Sequence, residues 1–109
     1  MPKITRGSGD VFTDLGFADA PERRTKLHLA QTINSALAER AATQTSAAAL
    51  LGINQPKISA LANYRLDGFS VERLLGFLTR LGRDIDIVVK RRSKARPRGR
   101  IAVFGGWRR

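Results

Sequence analysis

Residues Ala42–Asn63 read ATQTSAAALLGINQPKISALAN, and this stretch decides the fold. Thr43 is a good N-cap for a short helix, and Gly52 supplies the left-handed residue that commonly ends one. Asn54 is a second N-cap, and Pro56 follows it in a first helical turn, where its missing N–H costs nothing. The stretch therefore predicts two short helices that are joined by a tight turn.

The second of these helices has two contrasting faces. A rotation of about 100° per residue directs Ile58, Leu61 and Ala62 towards the core. The opposite face carries small and amide side chains, namely Pro56, Ser59, Ala60 and Asn63, with Gln55 and Lys57 beside its first turn. A helix face that is merely solvated usually carries Glu or Asp. This acid-free face is therefore suited to approach a nucleic-acid groove.

Amphipathic segments on both sides of the pair predict a small helical domain. The first helix begins after the N-cap Asp19 and runs to about Arg40. It carries an apolar stripe that consists of Leu29, Ala30, Ile33 and Leu37. A fourth helix, Val71–Leu81, follows the N-cap Ser70 and ends before Gly82. It is the most hydrophobic segment, so we expect it to centre the core.

Asp84–Lys90 alternates with period two and places Ile85, Ile87 and Val89 on one face, as a β-strand does. A single strand has no partner in an otherwise helical domain. We expect it to pair with the same strand of a second copy and so to form a homodimer. The alternative is a hairpin with Arg100–Phe104. The predicted fold class is mainly α: a bundle of four to five helices with a C-terminal strand.

The charge of the chain points to a polyanionic partner. Its 20 Lys and Arg against 9 Asp and Glu give a net charge of +11. Nucleic acid fits this charge first, and an acidic protein or an anionic membrane second; the alternative is a tail that only aids solubility. Residues 91–109 form a basic, largely disordered tail that suits phosphates or a minor groove.

Two further regions complete the predicted organisation. Residues 1–18 form an N-terminal arm, which either packs on the core or docks a protein partner. Residues 19–90 form the domain that contains the two short helices and the C-terminal strand.

Several classes of function lack the residues they need. The chain has no cysteine, which excludes disulfides, thiolate metal sites and thiol catalysis. His28 is the single histidine, Asp84 and Asp86 suit salt bridges better than catalysis, and Gly105–Gly106 is too short for a phosphate loop. We therefore expect no enzyme, no metal and no cofactor.

The expected location is the cytoplasm, where DNA binding would hold the protein on the nucleoid. No window approaches the roughly 20 apolar residues of a membrane span, and the N-terminus lacks the apolar core of a secretory signal. We expect no membrane partner.

Thr43–Asn63 resembles the helix-turn-helix of lambda-repressor-like regulators of the XRE family. The continuation at residues 67–75 and 81–89 resembles a narrower group, the HigA-type antitoxins, which are often encoded beside RelE/HigB-like ribonuclease toxins. The resemblance covers about residues 11–90. It implies a DNA-binding transcriptional regulator, the antitoxin of a type II system that represses its own operon and neutralises a RelE/HigB-like toxin. The alternatives are a solitary phage-type repressor and an interaction module that does not bind DNA.

The resemblance also implies which residues contact double-stranded DNA. Thr43 and Gln44 match residues that bind phosphates at a helix N-terminus. Gln55, Pro56 and Ala60 match the base-reading positions, and neighbouring base or phosphate contacts come from Lys57, Ser59 and Asn63. We expect further phosphate contacts from Tyr64, Arg65, Arg91 and Arg92.

Two of the base-reading positions depart from the common pattern, because Pro56 and Ala60 cannot form hydrogen bonds to bases through their side chains. Apolar side chains suit the methyl group of thymine, and Gln55 suits the N6/N7 edge of adenine. We expect A·T-containing half-sites in an inverted repeat, about 34 Å apart for a dimer.

Overall fold

The structure, a computed structural model, describes residues 20–105. Four helices follow one another in that range: α1 (Ala20–Glu39), α2 (Gln44–Leu51), α3 (Gln55–Ala62) and α4 (Val71–Arg80). The predicted N-terminal arm, the N-cap Asp19 and residues 106–109 lie outside the described residues. The predicted helices are confirmed to within a residue or two at the ends that are described, and no fifth helix occurs between residues 20 and 105.

The predicted N-caps determine where three of the helices begin. The side chains of Thr43, Asn54 and Ser70 each accept a hydrogen bond from the backbone N–H three residues later, at 3.0, 2.9 and 3.0 Å. In α2 the Ser46 hydroxyl also accepts from the Thr43 N–H at 2.9 Å, which completes a reciprocal capping box. These bonds satisfy N–H groups that have no partner within the helix.

All four helices in the described range end in the same way. A left-handed residue follows each of them: Ala41 (φ 52°), Gly52 (70°), Tyr64 (59°) and Gly82 (81°). The N–H of the next residue then donates to the carbonyl five residues before it, at 2.8–3.1 Å, as in the Schellman motif. The sequence predicted the two glycines. The alanine and the tyrosine were not predicted. The left-handed conformation costs each of them free energy, because the Cβ crowds the backbone.

The core contains side chains from all four helices, and α1 packs against both α3 and α4. The largest fully buried side chains are Ile33, Leu61, Leu74 and Leu81, which come from α1, α3, α4 and the residue after α4. The predicted stripe of α1 is confirmed, because three of its four residues are buried and Leu37 is half-buried against the core. The edge-to-face pair Phe69–Phe77, with ring centroids 5.9 Å apart, joins the loop before α4 to α4 itself.

The assignment of faces on α3 was partly wrong. Ile58 and Leu61 are buried as predicted, but Ala62 is exposed. Ala60, which was placed on the outward face, is half-buried against the core. A single helical wheel assumes one neighbour, whereas α3 contacts both α1 and α2, so the covered arc is wider and shifted.

Polar side chains fasten the two short helices to the rest of the bundle. Asn34 in α1 donates from its amide to the carbonyl of Leu61 in α3 at 3.2 Å. Arg80 at the end of α4 donates to the carbonyl of Leu50 in α2 at 3.4 Å. Arg83, after α4, forms an ion pair with Glu39 at the end of α1 at 2.9 Å. The first two contacts join α3 to α1 and α2 to α4.

The predicted strand at Asp84–Lys90 is not formed in the described residues, and neither is the alternative hairpin with Arg100–Phe104. Ile85 is half-buried against the core of its own chain, while Ile87 and Val89 are 76% and 91% exposed. Val88, on the other predicted face, is 78% exposed. A strand needs a neighbour for its backbone hydrogen bonds, and a single copy of this chain provides none there.

None of the helices between residues 20 and 105 has both the length and the apolar character of a membrane span.

Candidate nucleic-acid interface

A side-chain hydrogen bond brings the first turns of α2 and α3 together. The Gln55 amide nitrogen donates to the Thr45 hydroxyl at 3.1 Å. Both residues are exposed. The bond uses one amide hydrogen of Gln55 and leaves its carbonyl oxygen and second N–H available. An amide that reads adenine needs one acceptor and one donor. Gln55 retains both while it is hydrogen-bonded to Thr45.

Thr45 is a candidate site residue that was not predicted from the sequence. Its position in the first turn of α2 is the signal that could have found it. Its hydrogen bond to Gln55 depends on the packing of α2 against α3, which the sequence alone does not specify.

Most of the predicted contact residues are at least partly accessible to solvent. Thr43 and Gln44 are exposed at the start of α2, and Pro56 is exposed in the first turn of α3. Ser59 and Ala60 are half-buried, and exposed Asn63 follows at the end of α3. The amide nitrogen of Asn63 is used within its own helix, because it donates to the Ser59 carbonyl at 2.8 Å. Its carbonyl oxygen remains free to accept.

Lys57 is held at the edge of this surface. It is half-buried, and its ammonium lies 5.3 Å from the centroid of the Phe69 ring, a cation–π distance. A Cβ added to Gly68 would lie 3.2 Å from the same nitrogen. The charge is thus directed towards the loop before α4.

Tyr64 and Arg65 extend the surface beyond α3. Both are exposed, and Tyr64 keeps its left-handed backbone without being a glycine. Arg65 forms no side-chain hydrogen bond or ion pair within residues 20–105, so its guanidinium is available. Backbone strain of this kind is concentrated at functional positions, where a side chain is retained despite its cost.

Arg91 and Arg92, the remaining predicted phosphate contacts, lie in the basic tail and are exposed. They differ in their surroundings. The Arg92 guanidinium donates to the carbonyls of Ser93 and Arg96 and closes a local turn. Arg91 makes no such bond in the described part of the chain.

The charge around α2 and α3 is modest but of one sign. From Arg40 to Leu66 the chain contains no acidic residue, and its bases there are Arg40, Lys57 and Arg65. By contrast, residues 91–109 hold eight of the 20 basic residues and none of the acidic ones, so they account for eight of the eleven net charges. Most of the net positive charge therefore lies in the tail and not on the two short helices.

Residues 20–105 contain no group of three His, Asp or Glu side chains that could hold a metal ion.

An exposed, acid-free pair of helices joined by a left-handed glycine is a helix-turn-helix. A family model described as a helix-turn-helix domain matches residues 11–90, most of the chain. A solved structure provisionally named an XRE-family transcriptional regulator is 49% identical to this chain, with a TM-score of 0.76. That match covers 81% of this chain and 99% of the other. No curated protein matches.

The chain therefore belongs to the XRE-type helix-turn-helix family, and the predicted helix-turn-helix fold is confirmed.

Proposed function

We propose that this protein is a transcriptional regulator that binds operator DNA through the first turns of α2 and α3. The observation that carries the proposal is the Thr45–Gln55 bond on an exposed, acid-free face. It holds a base-reading amide in place before DNA arrives, which lowers the entropy cost of binding. Thr43 and Gln44 at the start of α2 would bind phosphates and set the register.

The chemistry of α3 favours A·T base pairs. Gln55 presents an acceptor and a donor to the major-groove edge of adenine, and Pro56 presents apolar surface to a thymine methyl group. Half-buried Ala60 would contribute a smaller contact of the same kind. Specificity beyond these positions would come from the shape of the DNA.

Selection of duplexes from a random pool tests the proposal directly. The full chain should enrich an inverted repeat with A·T pairs in each half-site. Enrichment of half-sites that contain only G·C pairs would overturn the predicted readout, and failure to enrich any sequence would favour a module that does not bind DNA.

A double-mutant cycle tests the role of Thr45 as a positioning residue. Gln55→Ala should weaken binding to the selected operator about 5- to 100-fold and relax the preference at one base pair. Thr45→Val should weaken it about 2- to 10-fold, because a net hydrogen bond is removed. On the Gln55→Ala background the Thr45→Val change should have no further effect. Thr79→Val, on α4, is the matched control. Additive losses would show that Thr45 does not act through Gln55.

We also propose that the regulator acts as a homodimer through residues 84–90. The support is the row of consecutive exposed aliphatic residues Ile87, Val88 and Val89, since exposed apolar surface of this kind commonly marks an interface. Pairing two such segments would satisfy their backbone groups and present two α3 helices to an inverted repeat. Light scattering should find a dimer, and replacing Ile87 and Val89 together by lysine should give monomers. A wild-type chain that stays monomeric while it binds single half-sites would overturn this arrangement.

The proposed regulator is the antitoxin of a type II toxin–antitoxin system. The support is the resemblance of residues 67–75 and 81–89 to HigA-type antitoxins. A small RelE/HigB-like reading frame beside this gene, whose product is toxic alone and harmless when co-expressed with this chain, is the expected finding. If the neighbouring frames contain no such toxin, the protein is a solitary repressor.

A further inference from the structure

The segment between Ile85 and Val103 is a loop that is attached to the domain at both ends. Ile85 on one side and Val103 on the other are half-buried against the core. Between them, residues 86–102, here called the basic loop, contain no helix or strand. Val103 lies in a groove on the outward side of α1, which Tyr64 also lines. The loop thus returns to the domain at the groove that Tyr64, in the turn after α3, also lines.

A turn inside the basic loop divides its bases into two sets. Arg92 donates to the carbonyls of Ser93 and Arg96, and the N–H of Arg96 donates to the Ser93 carbonyl at 3.2 Å. Arg96 itself is half-buried. Arg98 and Arg100, after the turn, are exposed and form no side-chain hydrogen bond or ion pair within the described residues. Two guanidinium groups are therefore presented to solvent on either side of Gly99.

The fold of the free chain does not explain why residue 99 is glycine. A Cβ added at Gly99 would meet no atom within 4 Å, and its φ is not in the left-handed region. Alanine would therefore fit. Glycine is instead useful where a backbone must approach another surface closely. Pro97 restricts the backbone just before the Arg-Gly-Arg sequence and removes a donor from it.

We propose that Arg98-Gly99-Arg100 enters the minor groove of A·T-rich DNA beside the half-site that α3 occupies. The inference rests on the proposed function, because it assigns a second contact to the same regulator. A·T tracts narrow the minor groove and deepen its negative potential, which attracts arginine side chains. The groove is about 6 Å wide, so a backbone without a Cβ fits between its walls most easily. In G·C pairs the guanine amino group occupies the groove floor and blocks this approach.

The reach of the loop is adequate for this contact. From Val103 to Gly99 is four residues, or up to about 14 Å of extended chain, and the arginine side chains on either side of Gly99 extend the reach. Half a duplex turn, the distance along the axis from the major groove to the next minor groove, is about 17 Å. Because Val103 and Tyr64 line the same groove, the loop starts from the side of the domain that carries the turn after α3.

Three duplexes of equal length test the inference with the full chain: one of A·T pairs, one of G·C pairs and one of inosine·C pairs. Inosine lacks the guanine amino group, so an inosine·C pair resembles A·T in the minor groove and G·C in the major groove. Fluorescence anisotropy should show that the wild-type chain binds the A·T and inosine·C duplexes about tenfold more tightly than G·C. A readout by α3 alone would group inosine·C with G·C.

Gly99→Ala is the decisive variant, because it retains every charge. It should abolish most of the preference for A·T and inosine·C, keep the affinity for G·C, and leave the melting temperature unchanged. Gly76→Ala, in α4, is the matched control and should alter none of the three affinities. Equal binding of inosine·C and G·C by the wild type, or a preference that survives Gly99→Ala, would overturn the inference.

The two proposals can fail separately. If selection enriches an operator but Gly99→Ala keeps its groove preference, only the minor-groove contact falls. If selection enriches A·T-rich duplexes without a defined half-site, and the preference for A·T and inosine·C depends on Gly99, only the proposed readout by α3 falls. If the wild type binds no duplex, both fall.

Discussion

Replacing Gly52 by alanine should destabilise the domain, whereas the same replacement at Gly76 should stabilise it. Gly52 ends α2 with φ 70°, and a Cβ there would lie 3.3 Å from a terminal nitrogen of Arg80. The left-handed backbone costs an alanine about 1–2 kcal/mol. The close approach to Arg80 adds little, because the end of an arginine side chain can move. Gly76 lies inside α4 with nothing within 4 Å of an added Cβ, so alanine should gain about 0.8–1 kcal/mol of helix propensity.

Thermal unfolding followed by circular dichroism measures both changes. In a domain of this size 1 kcal/mol shifts the melting temperature by about 4–8 °C. Gly52→Ala should therefore lower it by about 4–16 °C, and Gly76→Ala should raise it by about 3–8 °C. A Gly52→Ala chain as stable as the wild type would refute the claim that a left-handed residue fixes the turn between α2 and α3. A lower melting temperature for Gly76→Ala would refute the claim that the space beside Gly76 in α4 is open.

Three other changes probe the core, the end of α3 and the tail. Leu74→Ala should lower the free energy of unfolding, measured with urea, by about 2–5 kcal/mol, because this side chain is 0% exposed. A decrease below about 1 kcal/mol would contradict its central place in the core. Tyr64→Gly should stabilise the domain by about 1 kcal/mol by relieving its left-handed backbone, yet weaken operator binding; unchanged affinity would remove Tyr64 from the interface. Ending the chain at Lys90 should flatten the log–log salt dependence of DNA affinity by about 0.9 for each phosphate that the tail neutralises, and an unchanged slope would show that the tail does not touch DNA.

The local features of the fold could be predicted because each depends on a few neighbouring residues. Thr43, Asn54 and Ser70 cap their helices through the backbone three residues on, and Gly52 and Gly82 supply conformations that few other residues adopt. These signals lie within one turn of the helix end that they define. They were sufficient to place four helices to within a residue or two at their described ends.

The features that depend on tertiary contacts could not be predicted in the same way. Ala60 is more buried than predicted and Ala62 is more exposed, because α3 contacts both α1 and α2. Thr45 gained a role only through its contact with Gln55, ten residues away. Ala41 and Tyr64 occupy left-handed positions that neither residue type indicates, since the surrounding Schellman hydrogen bonds impose them.

The alternating pattern at Asp84–Lys90 illustrates a different limit. Period-two hydrophobicity indicates which side chains would share a face if a strand formed, but it does not supply the neighbouring strand. In the described residues Ile85 packs on its own domain and the aliphatic residues after it remain exposed. The same pattern therefore predicts a strand in a dimer and an irregular segment in a single chain.

The central claim is that DNA binds to the face formed by the first turns of α2 and α3. Backbone amide chemical shifts of the labelled full chain, measured during titration with the selected operator, test it most directly. Binding through this face predicts that the largest shifts cluster at residues 43–46 and 54–59, with the middle of α4 unchanged. Shifts that cluster on α4 and leave Gln55 unaffected would contradict it.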